Sequence, residues 1–279
     1  MTTDDRQLHE TLERAAQAIG AADALLVTAG AGIGVDSGLP DFRSEGGFWR
    51  AYPRLKALGL SFEEMAQPRW FRDDARMAWA FYGHRQMLYR RTIPHAGFAM
   101  LLRVAERKRG GYFVYTSNVD GQFETAGFAA DRVVGCHGTI HHEQCVRACT
   151  GAIWIAPERE YDIDDATFRV RGDLPRCTRC DLLARPNVLM FMDDAWVPKR
   201  TDAAWSRLLA WLATLRGARL AIVEVGAGLH LPAVRSFSEQ VARSHSATLI
   251  RINPRAADGP PGTLSIALPA RAALERMAL

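Results

Sequence analysis

The sequence has no apolar run that approaches the ~20 residues needed to cross a bilayer, and its first residues contain no basic stretch followed by an apolar segment. These absences predict a cytoplasmic protein without a membrane partner. Lysine occurs only at positions 56, 108 and 199, and the arginines that supply most of the positive charge are scattered, so we expect no nucleic-acid partner. Repeats and low-complexity tracts are also missing, and 48% hydrophobic with 24% charged residues excludes a disordered, collagen-like or coiled-coil chain.

Short apolar runs alternate with longer amphipathic segments, which is typical of a parallel α/β sheet. Buried strands are predicted at 24–29, 111–117, 132–135, 187–191, 219–226 and 247–253. Helices are predicted at about 4–20, 70–91, 95–109, 201–216 and 232–244. The fold class that follows is α/β, a Rossmann-like parallel sheet with helices on both faces, interrupted by two insertions.

The predicted boundaries divide the chain into a sheet domain and the two insertions. The sheet domain comprises residues 1–45, 95–139 and 186–279. The first insertion, residues 46–94, is rich in aromatic residues and arginine and is predicted to be a helical module. The second insertion, residues 140–185, is poor in strand signal and holds four of the five cysteines.

The first predicted strand runs into the glycine-rich segment TAGAGIGVDSG (28–38). Small residues at the carboxyl edge of a sheet let backbone N–H groups approach a phosphate closely, which favours a nucleotide ligand. The ordinary dinucleotide fingerprint would need glycine where Val35 stands, and no acidic residue closes a following strand, so a plain dehydrogenase is disfavoured. Taken alone, the segment is equally consistent with a turn that merely joins strand to helix.

Four cysteines form two close pairs, which are separated by residues 150–176. Four thiolates complete a closed tetrahedral zinc site with no open position for water, so such a site is structural. The alternatives are four unrelated thiols, or replacement of one ligand by Cys136, His141 or His142. Cys136 is interpreted as an ordinary buried thiol. The predicted zinc ligands are Cys145, Cys149, Cys177 and Cys180.

Polar residues follow two neighbouring predicted strands. Asn118 and Asp120 come just after one strand, and His137 comes just after the next. These are ligand positions in an open parallel sheet, because the carboxyl ends of the strands meet at one edge. A lone histidine would more often be a structural imidazole, but here three polar residues converge.

Ordered motifs across residues 25–255 resemble the sirtuin family of NAD-dependent protein lysine deacylases. GAGIGVDSGLPDFRS (30–44) is similar to the family's Gly-Ala-Gly-Ile-Ser…Ser-Gly-Ile-Pro-Asp-Phe-Arg loop, and TSNVDG (116–121) is similar to Thr-Gln-Asn-Ile-Asp-Gly. His137-Gly138 resembles the catalytic His-Gly, with the first zinc cysteine eight residues later. GAGLHLPA (226–233) looks like the nucleotide loop, and RIN (251–253) like the Ile-Asn pair beside the adenine-side ribose.

The resemblance implies NAD as co-substrate, structural zinc, and an acylated lysine of a protein or peptide as partner. Asn118 and Asp120 would orient the nicotinamide and its ribose, and Phe42 would shield the reacting face. His137 would act as general base on a ribose hydroxyl. The products would be nicotinamide, free lysine and O-acyl-ADP-ribose. The implied NAD-binding residues are Gly30, Ala31, Gly32, Asp41, Phe42, Arg43, Asn118, Asp120, Gly226, Gly228 and Asn253.

Three departures from the family pattern fall at the expected site. Ser117 replaces a glutamine, and Ala227-Gly228 replaces Thr-Ser and so loses two hydroxyl donors. Met192-Asp193 replaces Gly-Glu in the loop that pairs with the substrate backbone, where a methionine could obstruct an ordinary protein substrate. An NAD glycohydrolase or ADP-ribosyltransferase therefore remains the alternative. A catalytically silent sensor of NAD or ADP-ribose is disfavoured by the retained polar residues.

One pair of residues points to the acyl group. Tyr82 and Arg85 lie one helical turn apart, and a hydroxyl with a guanidinium suits a carboxylate. The pair resembles the Tyr-x-x-Arg of sirtuins that remove succinyl, malonyl or glutaryl groups, which favours an acidic acyl group over acetyl. The alternative is a helix with a core tyrosine and a solvated arginine.

Overall fold

The computed structural model describes residues 3–40 and 45–277. Eleven strands lie within these ranges. They are β1 (Ala24–Ala29), β2 (Tyr112–Thr116), β3 (Val133–Gly135), β4 (Gly138–Cys145), β5 (Ile153–Ile155), β6 (Ile163–Asp164), β7 (Arg169–Val170), β8 (Ala184–Val188), β9 (Leu220–Val225), β10 (Thr248–Ile252) and β11 (Leu264–Ile266).

The helices of the same ranges connect and cover these strands. They are α1 (Thr3–Ala21), α2 (Gly32–Val35), α3 (Glu45–Ala51), α4 (Pro53–Ala57), α5 (Phe62–Met65), α6 (Trp70–Asp73), α7 (Ala75–Arg91), α8 (Ala96–Glu106), α9 (Gln122–Thr125), α10 (Lys199–Thr214), α11 (Ala233–His245) and α12 (Ala270–Arg276), with a 3-10 turn at Ala130–Arg132. None of the helices in the described part of the chain has the length and apolar character to span a membrane.

The main sheet has six parallel strands in the order β11-β10-β9-β1-β2-β3. Strands β1 and β9 are buried along their whole length, as expected for central strands that are covered on both faces. Apolar residues of α1, α8 and α12 pack on one face, and those of α10 and α11 pack on the other. The predicted fold class is confirmed.

The carboxyl ends of four adjacent strands position the candidate site. Strands β9, β1, β2 and β3 are neighbours in the sheet and parallel, so the residues that follow them meet at one edge. Gly226 follows β9, Gly30 follows β1, Asn118 lies two residues beyond β2, and His137 lies two residues beyond β3.

A second, antiparallel sheet of order β5-β4-β8 lies beside the main one. The strand expected at 187–191 is β8, which ends earlier and pairs with β4 instead of joining the parallel sheet. The predicted strand begins three residues too late because Arg185 is charged, although it is only 1% exposed in β8. The Arg185 guanidinium donates to Asp193 and the Asn187 amide nitrogen donates to Gln144, so these donors have partners inside a buried strand.

The helical module, α3 to α7, packs around an aromatic cluster that includes Phe48, Trp79, Phe81 and Tyr82. The single helix expected at 70–91 is two helices, α6 and α7. They separate at Asp74, whose φ of −152° and ψ of 78° are not helical and whose side chain accepts a hydrogen bond from the Met77 amide at 3.1 Å. Asp74 therefore caps the start of α7.

Candidate active site

Two adjoining cavities open at the carboxyl edge of the main sheet, and Ala31 lines both. The first, of about 190 Å³, is called the histidine cavity here; its walls include Tyr82, Arg85, Asn118, Asp120 and His137. The second, of about 540 Å³, is called the glycine cavity; its walls include Gly32, Gly226, Gly228 and Asn253. Residues predicted from separate motifs are thus brought to one continuous site.

Three glycines allow the loops after β1 and β9 to touch. A Cβ added to Gly30 would lie 2.6 Å from the Gly226 carbonyl oxygen, and one added to Gly32 would lie 2.7 Å from the Gly226 Cα. Gly226 has a φ of +64°, and its own Cβ would lie 2.3 Å from the Ile33 nitrogen. The Gly32 N–H donates to the Gly226 carbonyl at 3.0 Å. Only glycine permits this backbone contact, which leaves a main-chain cradle suited to a nucleotide.

Asn118 presents a hydrogen-bond acceptor to the histidine cavity. Its amide nitrogen donates to the Gly30 carbonyl at 3.0 Å, and its backbone N–H donates to the Thr116 hydroxyl at 3.0 Å. Its Oδ1 is buried without a hydrogen-bond partner in the described residues. A buried acceptor in that state is costly unless a ligand satisfies it, so this atom fits an amide-bearing group such as a carboxamide.

Asp120 lies on the same wall with its carboxyl group held by the start of α9. Its Oδ1 accepts from the Gln122 N–H at 3.0 Å, and the residue is only 8% exposed. Burial raises the pKa of Asp120 to about 6. His141, one of the side chains weighed as a zinc ligand, instead donates from Nε2 to the Asp120 carbonyl at 2.7 Å and so braces this loop.

His137 is half-buried in the wall of the histidine cavity. The glycine that follows it fixes its position, because Gly138 has a φ of +78° and an added Cβ would lie 2.1 Å from the Asn187 carbonyl oxygen. The His137 carbonyl accepts from the Leu189 N–H at 2.9 Å. The His-Gly pair is therefore the point where the parallel sheet crosses into the antiparallel one.

Asn253 organises the glycine cavity. Its side-chain nitrogen donates to the Ala227 carbonyl at 3.0 Å, and its oxygen accepts from the Arg255 and Ala256 amides at 2.9 and 3.0 Å. Ala227 is buried, whereas nothing lies within 4 Å of a Cβ added to Gly228. Among the described residues, Gly228 therefore faces open space, and no neighbouring side chain takes the place of the hydroxyl that a serine would supply at this position.

Tyr82 and Arg85 lie in the helical module and reach the histidine cavity from α7. Tyr82 is 1% exposed, and its hydroxyl has no hydrogen-bond partner in the part of the chain that is described. Burial raises the pKa of Tyr82 to about 12, so the hydroxyl stays protonated and able to donate. Arg85 is 6% exposed and therefore is not a solvated surface arginine. Its Nε and Nη2 donate to the Tyr89 hydroxyl at 3.0 and 2.8 Å.

A tight loop carries Met192 and Asp193 beside the histidine cavity. Met192 has a φ of +56° and is 85% exposed, so a side chain occupies a backbone conformation that glycine adopts most easily. The Asp193 carboxylate is fully buried against Arg185, with Arg185 Nη1 donating to Oδ1 at 2.9 Å. Asp193 also accepts from the Met190 N–H at 3.1 Å. This buried pair fixes the loop, and Met192 projects from it.

The four paired cysteines converge in the second insertion, and their sulfurs all lie within 4.8 Å of one another. Cys145 and Cys180 sulfurs are 3.6 Å apart, and Cys149 and Cys177 sulfurs are 3.7 Å apart. Tetrahedral zinc with bonds of about 2.3 Å places its sulfurs about 3.8 Å apart, so the cluster fits a structural zinc ion. His142 and Cys136 do not belong to this cluster.

Three of the predicted NAD-binding residues lie in a segment that the structure does not describe, and two residues beside the cavity were not predicted. Asp41, Phe42 and Arg43 lie outside the described residues, and their proposed contacts with NAD remain predictions. Sequence reasoning missed Tyr89 and Arg185. Tyr89 follows Tyr82 by two helical turns, a spacing that places both on one face and that a helical-face analysis of α7 would detect.

Comparison with known proteins gives a family match and a shared fold. The sequence profile of the Sir2 family matches residues 30–209. A protein of Thermococcus sibiricus named NAD-dependent protein deacylase is 30% identical over 182 residues. The match covers 64% of this chain and 64% of that protein, so this chain spans less than two thirds of that relative. A protein of the same name from Methylococcus capsulatus is 31% identical over 236 residues, 82% of this chain and 81% of that protein. The solved structure of a Sir2 homologue with NAD has a TM-score of 0.67 at 22% identity, covers 95% of this chain and 91% of that one, and shows a shared fold.

Proposed function

This chain belongs to the Sir2, or sirtuin, family, and on that premise we propose that it removes acyl groups from lysine side chains of proteins in an NAD-dependent reaction. The observation that carries the proposal is the pair of cavities joined at Ala31. A main-chain cradle for a nucleotide lies on one side, and polar side chains able to handle a carboxamide, a ribose and an acyl group lie on the other. The names of the relatives, which are protein deacylases, support the same reaction.

Each residue of the site has a separate role in the proposed reaction. When bound, NAD would supply the ribose carbon that receives the acyl oxygen. NAD, acyl-lysine and one water would give nicotinamide, free lysine and O-acyl-ADP-ribose. The unsatisfied Asn118 Oδ1 would accept a hydrogen bond from the carboxamide of NAD, and Asp120 would hold the neighbouring ribose. His137 removes a proton from a sugar hydroxyl through an imidazole nitrogen, since an imidazole is a competent base near neutral pH. A zinc ion bound by the four cysteines would stabilise the insertion.

Product analysis tests the proposed reaction. The purified protein is incubated with NAD and a panel of acyl-lysine peptides, and the products are separated by mass. Acyl-ADP-ribose is the expected product. Free ADP-ribose alone indicates an NAD glycohydrolase, and protein-bound ADP-ribose indicates a transferase. Exposed Met192 is the observation that favours these two alternatives. Either outcome, or no turnover, refutes the deacylase proposal.

We further propose that the preferred acyl groups carry a carboxylate, as succinyl and malonyl do. The support is that Arg85 and the partnerless Tyr82 hydroxyl line the cavity that also holds His137. A carboxylate would take a charge-assisted hydrogen bond from the guanidinium and a second from the Tyr82 hydroxyl, whereas an acetyl methyl offers neither. One such bond contributes roughly 1.5–3 kcal/mol, so we expect kcat/KM to be about one to two orders of magnitude higher for succinyl than for acetyl peptides.

Arginine substitutions on α7 test this preference. Arg85→Met should remove the preference by weakening desuccinylation while sparing deacetylation. Arg90→Met is the matched control, because Arg90 lies on the same helix but donates to the Ala156 and Pro157 carbonyls at 2.9 and 3.0 Å, outside the cavity. A wild-type preference for acetyl peptides, or equal loss of both activities in Arg85→Met, contradicts the proposal.

A further inference from the structure

Tyr89 is the third residue of α7 that lines the histidine cavity. It is 5% exposed, and its hydroxyl accepts from two atoms of one guanidinium, Arg85 Nε at 3.0 Å and Arg85 Nη2 at 2.8 Å. Tyr89 therefore occupies one edge of the Arg85 guanidinium. No motif in the sequence drew attention to this residue.

The two tyrosine hydroxyls on this helix are in different states. The Tyr89 hydroxyl is engaged by Arg85, whereas the Tyr82 hydroxyl is buried and has no partner in the described ranges. Both side chains line the same cavity. The arrangement leaves the Tyr82 hydroxyl for a ligand and commits the Tyr89 hydroxyl to the protein.

The aromatic surroundings of Arg85 explain why a hydroxyl is needed there. Its guanidinium carbon lies 5.2–5.8 Å from four ring centroids, those of Phe62, Phe81, Tyr82 and Tyr89. Ring faces attract a cation, but they do not fix the directions of its N–H bonds. A hydrogen bond is directional and does fix them. Within this aromatic box, Tyr89 sets the rotation of the guanidinium plane.

We infer that Tyr89 is a specificity-determining positioning residue, which acts through Arg85 and orients it for the carboxylate of an acidic acyl group. This inference rests on the proposed preference for acidic acyl groups. Without the Tyr89 hydroxyl, the guanidinium loses the acceptor for two of its N–H groups and can rotate away from the bound carboxylate. The loss falls on binding of the acyl tail, because Tyr89 contacts the arginine and not the reacting atoms.

Steady-state kinetics of Tyr89→Phe test the inference. We expect KM for a succinyl-lysine peptide to rise about tenfold with kcat changed less than about twofold, as for loss of a hydrogen bond to a charged group that acts in binding. KM for the acetyl-lysine form of the same peptide should stay within about twofold. In an Arg85→Met background, adding Tyr89→Phe should change neither KM, because the tyrosine has no guanidinium left to orient.

Tyr52→Phe is the matched control for general loss of stability. The Tyr52 hydroxyl is also buried in the aromatic cluster and bonds to His84 Nδ1 at 2.9 Å, but it does not line the cavity. Equal KM changes for acetyl and succinyl peptides in Tyr89→Phe, or the same changes in Tyr52→Phe, would overturn the positioning role. If the wild type shows no preference for succinyl peptides, the proposed acyl class fails. If that preference is present and Tyr89→Phe retains it, only the role of Tyr89 fails.

Discussion

Replacing Asp120 by asparagine should stabilise the fold while impairing the reaction. The carboxyl group is buried, and burial raises its pKa from 3.8 to about 6. Each pKa unit corresponds to about 1.4 kcal/mol, so ionisation of this group costs the folded state about 3 kcal/mol at pH 8. Asparagine has nearly the same shape, keeps an oxygen for the Gln122 N–H, and carries no charge. The expected gain in free energy of unfolding at pH 8 is therefore up to about 3 kcal/mol.

The gain should depend on pH in a defined direction. The folded protein binds the Asp120 proton more tightly than the unfolded chain does, so the wild type loses stability as the pH rises from about 4 through about 6. Above that range the loss is complete. The advantage of Asp120→Asn should therefore be largest at pH 8, and linkage predicts roughly half of it at pH 5.

Urea denaturation at pH 5 and pH 8 measures both effects, because comparing variant with wild type at one pH cancels the titration of other groups. Asp164→Asn is a control of opposite sign, since hydrogen bonds from Thr167 and Arg171 lower the pKa of Asp164 to about 2. That variant should lose stability at pH 8. An Asp120→Asn protein that is less stable than wild type at pH 8, or whose gain is the same at both pH values, would refute the reasoning.

Three further predictions concern the histidine, the metal and the glycine cradle. His137→Ala should keep the fold and NAD affinity, measured by calorimetry, and abolish acyl-ADP-ribose formation; near-normal product formation argues against the role as base. Elemental analysis should find one zinc per chain, and Cys177→Ser should lower both the zinc content and the melting temperature, so a variant that retains both contradicts the site. Gly226→Ala should lower the melting temperature and NAD affinity, because its Cβ would meet the Ile33 nitrogen at 2.3 Å. Gly228→Ala, with open space around the added Cβ, should fold normally, and equal damage in both variants would count against the cradle.

The parallel sheet could be predicted because its central strands are continuous apolar runs. Strand β1 was predicted with its observed bounds, and β9 within one residue at each end. Strand β8 was misplaced because Arg185 is buried through its ion pair with Asp193, a contact that a search for apolar runs does not detect. Strand β11 and helix α12 were missed because they are short and follow a Gly/Pro loop.

The candidate site was predictable where strand ends imply convergence. Asn118, Asp120 and His137 line one cavity because adjacent parallel strands deliver them to one edge. Sequence could not show that the Asn118 oxygen is unsatisfied or that Arg85 is buried, because both depend on the packing of separate segments. Tyr89 was missed because it acts through Arg85, and that contact is visible only once side chains are placed.

Main-chain atoms shape the glycine cavity, whereas side chains shape much of the histidine cavity. This difference determines how substitutions act on each cavity. Contact between Gly30, Gly32 and Gly226 shapes the glycine cavity through main chain, and single substitutions there displace the backbone itself. Side chains of α7, among them Tyr82 and Arg85, form one wall of the histidine cavity, so substitutions there change side chains instead of a main-chain contact. Under the proposed function, point mutations in α7 would change which acyl groups fit and would leave the main-chain cradle for the nucleotide unchanged. A mutagenesis library confined to α7 would test which acyl groups the protein can accept while NAD binding is retained.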